Sequence, residues 1–360
     1  MLTAGAANVG SVTAEFCADW GQRSPRWAGI RSEIVSVCGY RIHVLRADAD
    51  AGTTAGAPTQ VLLHPMFAGG VYMLDMMKPL ARFGPVVVPD LPGCVITGVT
   101  ETPSSAAARV PANARFLRAF LARLGVRDVV LHGWSMGSVI ALRYAAGRVV
   151  HGDDGVRLRG LVLATPPLPV PLSAAGRLAW GTLGRLACDV FPPLAHAAAT
   201  LMTPRLATAV IDHLERRRHW FPVVNDVEGI SDETIAWWFD FYRAACAHPR
   251  VYAYAADALA SIGRSMYVDQ RDLLQAMMAV REPVLLYSGA TDPLISQASI
   301  DQALRMRPDW FSHVVHDAGH GIPAQRPEEY AEVVGRWLAD NVMGAVRRDS
   351  AGVSSGHRWM

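Results

Sequence analysis

Three short stretches of this sequence hold residue types that can do chemistry together. They are Gly133-Trp134-Ser135-Met136-Gly137-Ser138, Ser288-Gly289-Ala290-Thr291-Asp292-Pro293, and Asp317-Ala318-Gly319-His320-Gly321. A serine hydroxyl becomes a useful nucleophile when an imidazole takes its proton, and that imidazole needs a carboxylate to fix its tautomer and stabilise its cation. Ser135, Asp292 and His320 supply the three groups, in that order along the chain. The glycines at 133 and 137 let neighbouring backbone approach a strained turn with no Cβ in the way.

The elements around these stretches must bring them to one place. Val129-Val130-Leu131 reads as a buried parallel strand and Val139 to Ala145 as the helix that packs back on the sheet, so Ser135 falls on the turn between them. Residues 33 to 46 alternate apolar and polar around Cys38-Gly39, the pattern of a β-hairpin. Further strands are expected at 60–64, 85–89, 127–132 and 161–164, with helices at 71–82 and 111–124. From 168 to about 280 helix follows helix, punctuated by Pro192-Pro193, Pro204, Pro222 and Pro249. A strand at 283–287, a helix at 297–306, a strand at 310–315 and a helix at 327–341 complete the pattern. Strands alternating with helices predict a mostly parallel sheet covered on both faces. Asp292 and His320 then each follow their own strand, on the edge of the sheet that also carries Ser135.

Expected boundaries follow: an N-terminal extension over 1–32, a core over 33–167 and 282–343, a helical cap over 168–281 and a disordered tail over 344–360. The chain has 360 residues, 51% hydrophobic and 18% charged, which is ample for that core and one large insertion. Basic and acidic residues nearly cancel at a net charge of +2, and no arginine-rich stretch is interleaved with stacking aromatics, which argues against a nucleic-acid partner. Lys78 is the sole lysine among 34 basic residues, the usage of a GC-rich coding sequence of the actinomycete kind. Cys17, Cys38, Cys94, Cys188 and Cys246 are scattered without a metal-type pair, and no His/Asp/Glu grouping has ligand spacing, so no metal and no other cofactor is expected. The N-terminus lacks a secretory pattern and no apolar run reaches the roughly 18 residues of a membrane helix. A cytoplasmic protein, monomeric or homodimeric and without a membrane partner, is the expectation.

With GWSMGS, SGATDPLIS and DAGHGIPAQRPEEY each following its own strand, the chain resembles the α/β-hydrolase superfamily over roughly residues 33 to 341. The resemblance implies an α/β-hydrolase fold: a mostly parallel eight-stranded sheet flanked by helices, with an inserted helical cap. It also implies a catalytic triad of Ser135, Asp292 and His320. The oxyanion donors would be the backbone N–H groups of Met136 and, in His64-Pro65-Met66-Phe67, of Met66, since Pro65 has no N–H. Relatives usually carry glycine at the Pro65 position, and often histidine at the Cys94 position of Asp90-Leu91-Pro92-Gly93-Cys94. His316 is the rival base, whereas Asp317 reads as a turn residue, and His64 and His132 as structural imidazoles.

Trp220, Phe221, Trp237, Trp238, Phe239, Phe241 and Tyr242 cluster in the insertion, near Met202, Met266, Met277 and Met278. They are expected to give the cap a small core, with Phe67, Trp134, Trp237, Trp238 and Phe241 lining a pocket for a small lipophilic substrate. The leading functional expectation is cleavage of an acyl ester or thioester through an acyl-serine, in secondary metabolism. A second expectation is a lyase that uses the triad as a base to eliminate a carboxylate such as acetate from an acylated polyketide or tetronate intermediate. A third is a non-catalytic ligand receptor. Epoxide hydrolases and dehalogenases of the superfamily place aspartate at the elbow, where this chain has Ser135.

Overall fold

Val61 and Leu63 turn to one side of the central sheet and Leu62 to the other, and all three are fully buried. A strand that is dry on both faces needs a covering layer on each side, and the fold supplies two. The computed structural model describes residues 18–93, 104–151, 155–216, 227–246 and 250–343. Trp220, Phe221, Pro222, Pro249, Cys17, Cys94 and the expected tail lie outside them.

Eight strands run in the spatial order β1-β2-β4-β3-β5-β6-β7-β8. They are β1 (Ile30–Val37), β2 (Tyr40–Ala47), β3 (Thr59–Leu63), β4 (Val86–Pro89), β5 (Asp128–Trp134), β6 (Arg157–Ala164), β7 (Val284–Gly289) and β8 (Phe311–Val315). β2 is antiparallel to both β1 and β4, and every other pairing is parallel. The hairpin turn has φ of 51° at Cys38 and 78° at Gly39, the double positive pair that a two-residue loop between twisted strands requires.

One face is covered by α1 (Leu74–Ala81), whose preceding turn Gly70–Met73 is a 3-10 helix, together with two N-terminal 3-10 turns carrying Trp20 and Trp27. Helix α11 (Pro327–Leu338) covers the rest of it through Tyr330, Val334 and Trp337. The other face is covered by α2 (Val110–Leu124), α3 (Met136–His151), α9 (Gln270–Ala279) and α10 (Gln297–Met306). Trp20, Trp27 and Ile30 are buried in the core, so ordered structure reaches back into the stretch read as an extension. At the other boundary, Leu273 and Met277 of α9 are buried among sheet and α3 side chains, which places this helix in the covering layer although its sequence stands within the expected cap.

Between β6 and α9 lie α4 (Ala174–Ala179), α5 (Arg185–Ala199), α6 (Pro204–Arg216), α7 (Asp232–Cys246) and α8 (Arg250–Gly263). Pro192 and Pro193 were expected to break this stretch, yet both stand inside α5; Pro204 opens α6, where its missing N–H costs nothing. The buried Asp257 of α8 ties the insertion to the core, accepting from Arg109 at 2.8 Å and pairing with His196 of α5 at 3.1 Å. Asp75 of α1 does the same for α7, accepting from Trp27 at 2.8 Å and from Thr234 at 2.7 Å. Helix α5 leaves Leu183 just ahead of it, and Leu186 and Leu194 on it, more than half exposed. Among the described residues no helix is long and apolar enough to cross a membrane.

Candidate active site

Ser135 joins β5 to α3 with φ of 52°, a left-handed conformation that costs a non-glycine residue free energy and is held by its surroundings. Its N–H donates to Ala164 O at 2.9 Å, and the Ser138 hydroxyl bonds Gly133 O at 2.7 Å and Ala164 O at 3.1 Å, so neighbouring β6 fixes the turn. A Cβ on Gly133 would stand 2.3 Å from Ser138 N, and one on Gly137 would stand 2.1 Å from Leu63 O. Both contacts are with backbone that cannot step aside, which is the physical cause of the glycine spacing.

Asp292 and His320 lie in the loops after β7 and β8. His320 Nδ1–H donates to Asp292 Oδ2 at 2.7 Å, and both side chains are only 2% exposed. The other carboxylate oxygen accepts from the N–H groups of Leu294 at 2.8 Å and Ile295 at 3.0 Å, so Asp292 is held on both sides. The two loops are laced together by Ala290 N to Val315 O at 2.9 Å and Thr291 N to Ala318 O at 3.1 Å. Trp134, one residue before the serine, donates its indole N–H to His320 O at 2.9 Å, which ties the histidine loop to the elbow. No direct hydrogen bond joins Ser135 Oγ to His320 among the described residues; such contacts often tighten only in the substrate complex.

The N–H of Met136 opens α3 and has no acceptor inside the helix. Met66 follows Pro65 on the loop after β3, and Phe67 beside it has φ of 58°. His64 organises this loop: its Nδ1–H donates to Pro65 O at 2.8 Å and its Nε2 accepts from Leu91 N at 2.9 Å, which fixes a neutral tautomer. Burial pushes the His64 imidazole below its ordinary value, against the pull of the Asp90 charge. Asp90 accepts from Gly70 N and from His43 Nδ1, the latter at 3.2 Å. Burial opposes the Asp90 charge, but the His43 hydrogen bond and the nearby imidazoles hold its carboxyl below the usual range. Tyr242 of α7 donates its hydroxyl to Phe67 O at 2.6 Å, so the insertion grips the same loop.

A cavity of about 210 Å³ lies against this loop, with Met66, Phe67, Met136, Phe241, Tyr242 and Cys246 in its wall. Its wall includes Met136, next to the serine, but neither Ser135 nor His320.

The alpha/beta hydrolase family model matches residues 60–333, most of the chain. The chain belongs to the alpha/beta hydrolase family. No curated protein matches the sequence. Among solved structures, a bacterial membrane phospholipase A superimposes with a TM-score of 0.62 at 21% identity, covering 92% of this chain and 92% of that one. A haloalkane dehalogenase from Bradyrhizobium elkanii gives 0.60 at 19% identity, covering 89% and 99%. The thioesterase domain from the curacin biosynthetic pathway gives 0.58 at 15% identity, covering 85% and 98%. Such distant likeness establishes the alpha/beta hydrolase fold and leaves the reaction to the site itself.

The other candidate side chains lie outside the Ser135, Asp292 and His320 group. His316 is exposed, and Asp317 beside it is held by Arg326 at 2.7 and 3.0 Å as a turn residue. His132 is buried between Gln60 and Tyr330, each at 2.9 Å. Of the expected pocket residues, Phe67 and Phe241 line the cavity, whereas Trp134, Trp237 and Trp238 do not. Trp134 is spent on holding His320. Trp238 stacks on Tyr72 at 4.3 Å, and Trp237 packs edge-on against Trp20 at 5.2 Å under the Arg23 guanidinium. The cavity meets α7 only from Phe239 onward, and the turn carrying the tryptophans lies over α1 and the N-terminal segment. The Tyr242 hydrogen bond and the His43–Asp90 pair have no motif of their own, since residues far apart in sequence make them.

Proposed function

We propose that this hydrolase cleaves a carboxylic ester or thioester of a lipophilic small molecule through an acyl-serine intermediate. The observation that carries the reading is the buried, 2.7 Å Asp292–His320 pair, laced by Trp134 to a strained serine turn on the same sheet edge. In this reading Ser135 Oγ attacks the carbonyl carbon while its proton passes to His320 Nε2. Asp292 holds the Nδ1–H and stabilises the imidazolium. The N–H groups of Met136 and Met66 receive the developing oxyanion. The C–O or C–S bond then breaks, the leaving group takes the proton from His320, and water, activated by the same imidazole, releases the acid and restores the serine.

Fluorophosphonate labelling followed by peptide mass spectrometry tests this. Wild type is expected to carry the adduct on Ser135 and Ser135→Ala to carry none; a folded wild type without adduct would overturn the reading. Turnover in heavy-oxygen water separates hydrolysis, which places one label in the released acid, from elimination, which leaves the acid unlabelled and yields an alkene.

A further inference from the structure

The apolar space does not end at the first cavity. A second cavity, of about 290 Å³, lies between α5 and α8, with Phe191, Ala195, Ala198, Met202 and Leu259 in its wall. Phe67, Tyr252 and Ala255 belong to the walls of both cavities, so the two adjoin at those three residues and lie in series. One end of this path is therefore Met66 and Met136, where the oxyanion would form, and the other lies beneath α5.

Among the described residues no charged side chain lines either cavity. His64, an imidazole in the first wall, is kept neutral by burial and by its fixed tautomer. The few hydroxyls along the path are bonded to backbone, Tyr242 to Phe67 O at 2.6 Å and Tyr252 to Cys246 O at 3.3 Å, so a charged or polyhydroxylated group there would lose most of its hydration without return. Two modest volumes in series also suit a thin, torsionally free chain better than a wide fused-ring skeleton. On the same helix α5, Leu186 and Leu194 are exposed.

We propose that the second cavity is the distal part of the substrate site and takes the end of an unbranched aliphatic chain, so that the substrate is a long-chain acyl ester or thioester. This rests on the serine-hydrolase reading for the chemistry, although the chain site itself can be tested without it. Each methylene moved from water into the path should raise kcat/KM about fourfold until the space is filled. Neither cavity alone has the volume of a site that buries a whole small ligand, roughly 300–1,000 Å³, whereas the pair together does.

The experiment is a kcat/KM profile over p-nitrophenyl esters from acetate to palmitate for wild type, Ala195→Trp and Phe191→Ala. Wild type is expected to rise steeply past butanoate. Ala195→Trp, which fills the distal cavity, should lower the dodecanoate-to-butanoate ratio at least tenfold, and Phe191→Ala, which enlarges it, should move the optimum to longer chains. A wild type that gains nothing beyond butanoate, or a ratio that neither variant moves, overturns the proposal. Thermal melting of each variant identifies one that has failed to fold, in which case the other decides. If no ester of any length turns over, the serine-hydrolase reading has failed, and calorimetric titration of wild type with dodecanoic acid decides about the chain site. Stoichiometric binding that Ala195→Trp weakens tenfold supports the proposal, and no binding overturns it.

Discussion

Asp292→Asn would keep the shape of the acid loop while changing what it does to His320. An amide placed at the same position can donate to Nδ1, which favours the tautomer whose Nε2 carries a proton and cannot accept one from Ser135. The expected loss in kcat is about 10⁴-fold with KM little changed, the scale of such a tautomer error. Steady-state kinetics on a short ester check it, and an effect under tenfold would remove Asp292 from the triad. Ser135, Asp292 and His320 were legible in the sequence because each stands in a loop directly after a strand, and a parallel sheet sends all such loops to one edge. Trp134 was not legible in the same way. Its position beside the serine suggested a pocket wall, but the turn that lifts Ser135 out also turns the indole down toward the His320 carbonyl.

Helix α7 grips the loop after β3 through the side-chain hydrogen bond from Tyr242 to Phe67 O at 2.6 Å. Phe67 holds φ of 58°, a conformation of little intrinsic stability, and Met66 beside it is the expected oxyanion donor. Tyr242→Phe keeps the ring in the cavity wall and deletes the donor. A typical hydrogen bond is worth about 1 kcal/mol net, so the loop's placement of Met66 should suffer by about fivefold in kcat, with a smaller change in KM. Unchanged kcat in a folded Tyr242→Phe would show that the loop holds its shape without the insertion. The mainly helical character of the described residues between 168 and 280 followed from composition and periodicity, whereas the assignment of individual helices to layers did not. Helix α9 has the same kind of sequence as its neighbours in the insertion. It lies on the sheet because Leu273 and Met277 find α3 and the strands there.

Among the described residues, His132 and His64 are both buried and shifted toward the neutral form, and this has a consequence for stability. Burial pushes His132 from 6.5 down to about 3. In the unfolded chain it titrates near its ordinary value of about 6.5, so between these values the unfolded state binds more protons than the folded one. Its contribution is therefore fully present above pH 6.5 and is lost as the pH falls toward 3. The expected slope approaches about 1.4 kcal/mol per pH unit below 6.5, and His64, lowered by burial as well, acts in the same direction. Urea unfolding at steps from pH 7 to pH 5 measures it. His132→Gln should flatten the slope by up to that amount, and an unchanged slope would mean that His132 titrates normally in the folded state.

The sequence alone determined the order of elements, the strand-to-loop positions of Ser135, Asp292 and His320, and the helical insertion, because these follow from local periodicity and from turn chemistry that needs glycine at 133 and 137. Only the tertiary structure decided which aromatic residues face the cavity, that Asp90 and His43 form a buried pair behind the loop after β3, and that a second cavity adjoins the first. Those facts depend on how far each helix travels along its axis before it meets the core, and on contacts between residues such as Tyr242 and Phe67, 175 positions apart. Periodicity records which face of a helix is apolar, but not what that face will touch.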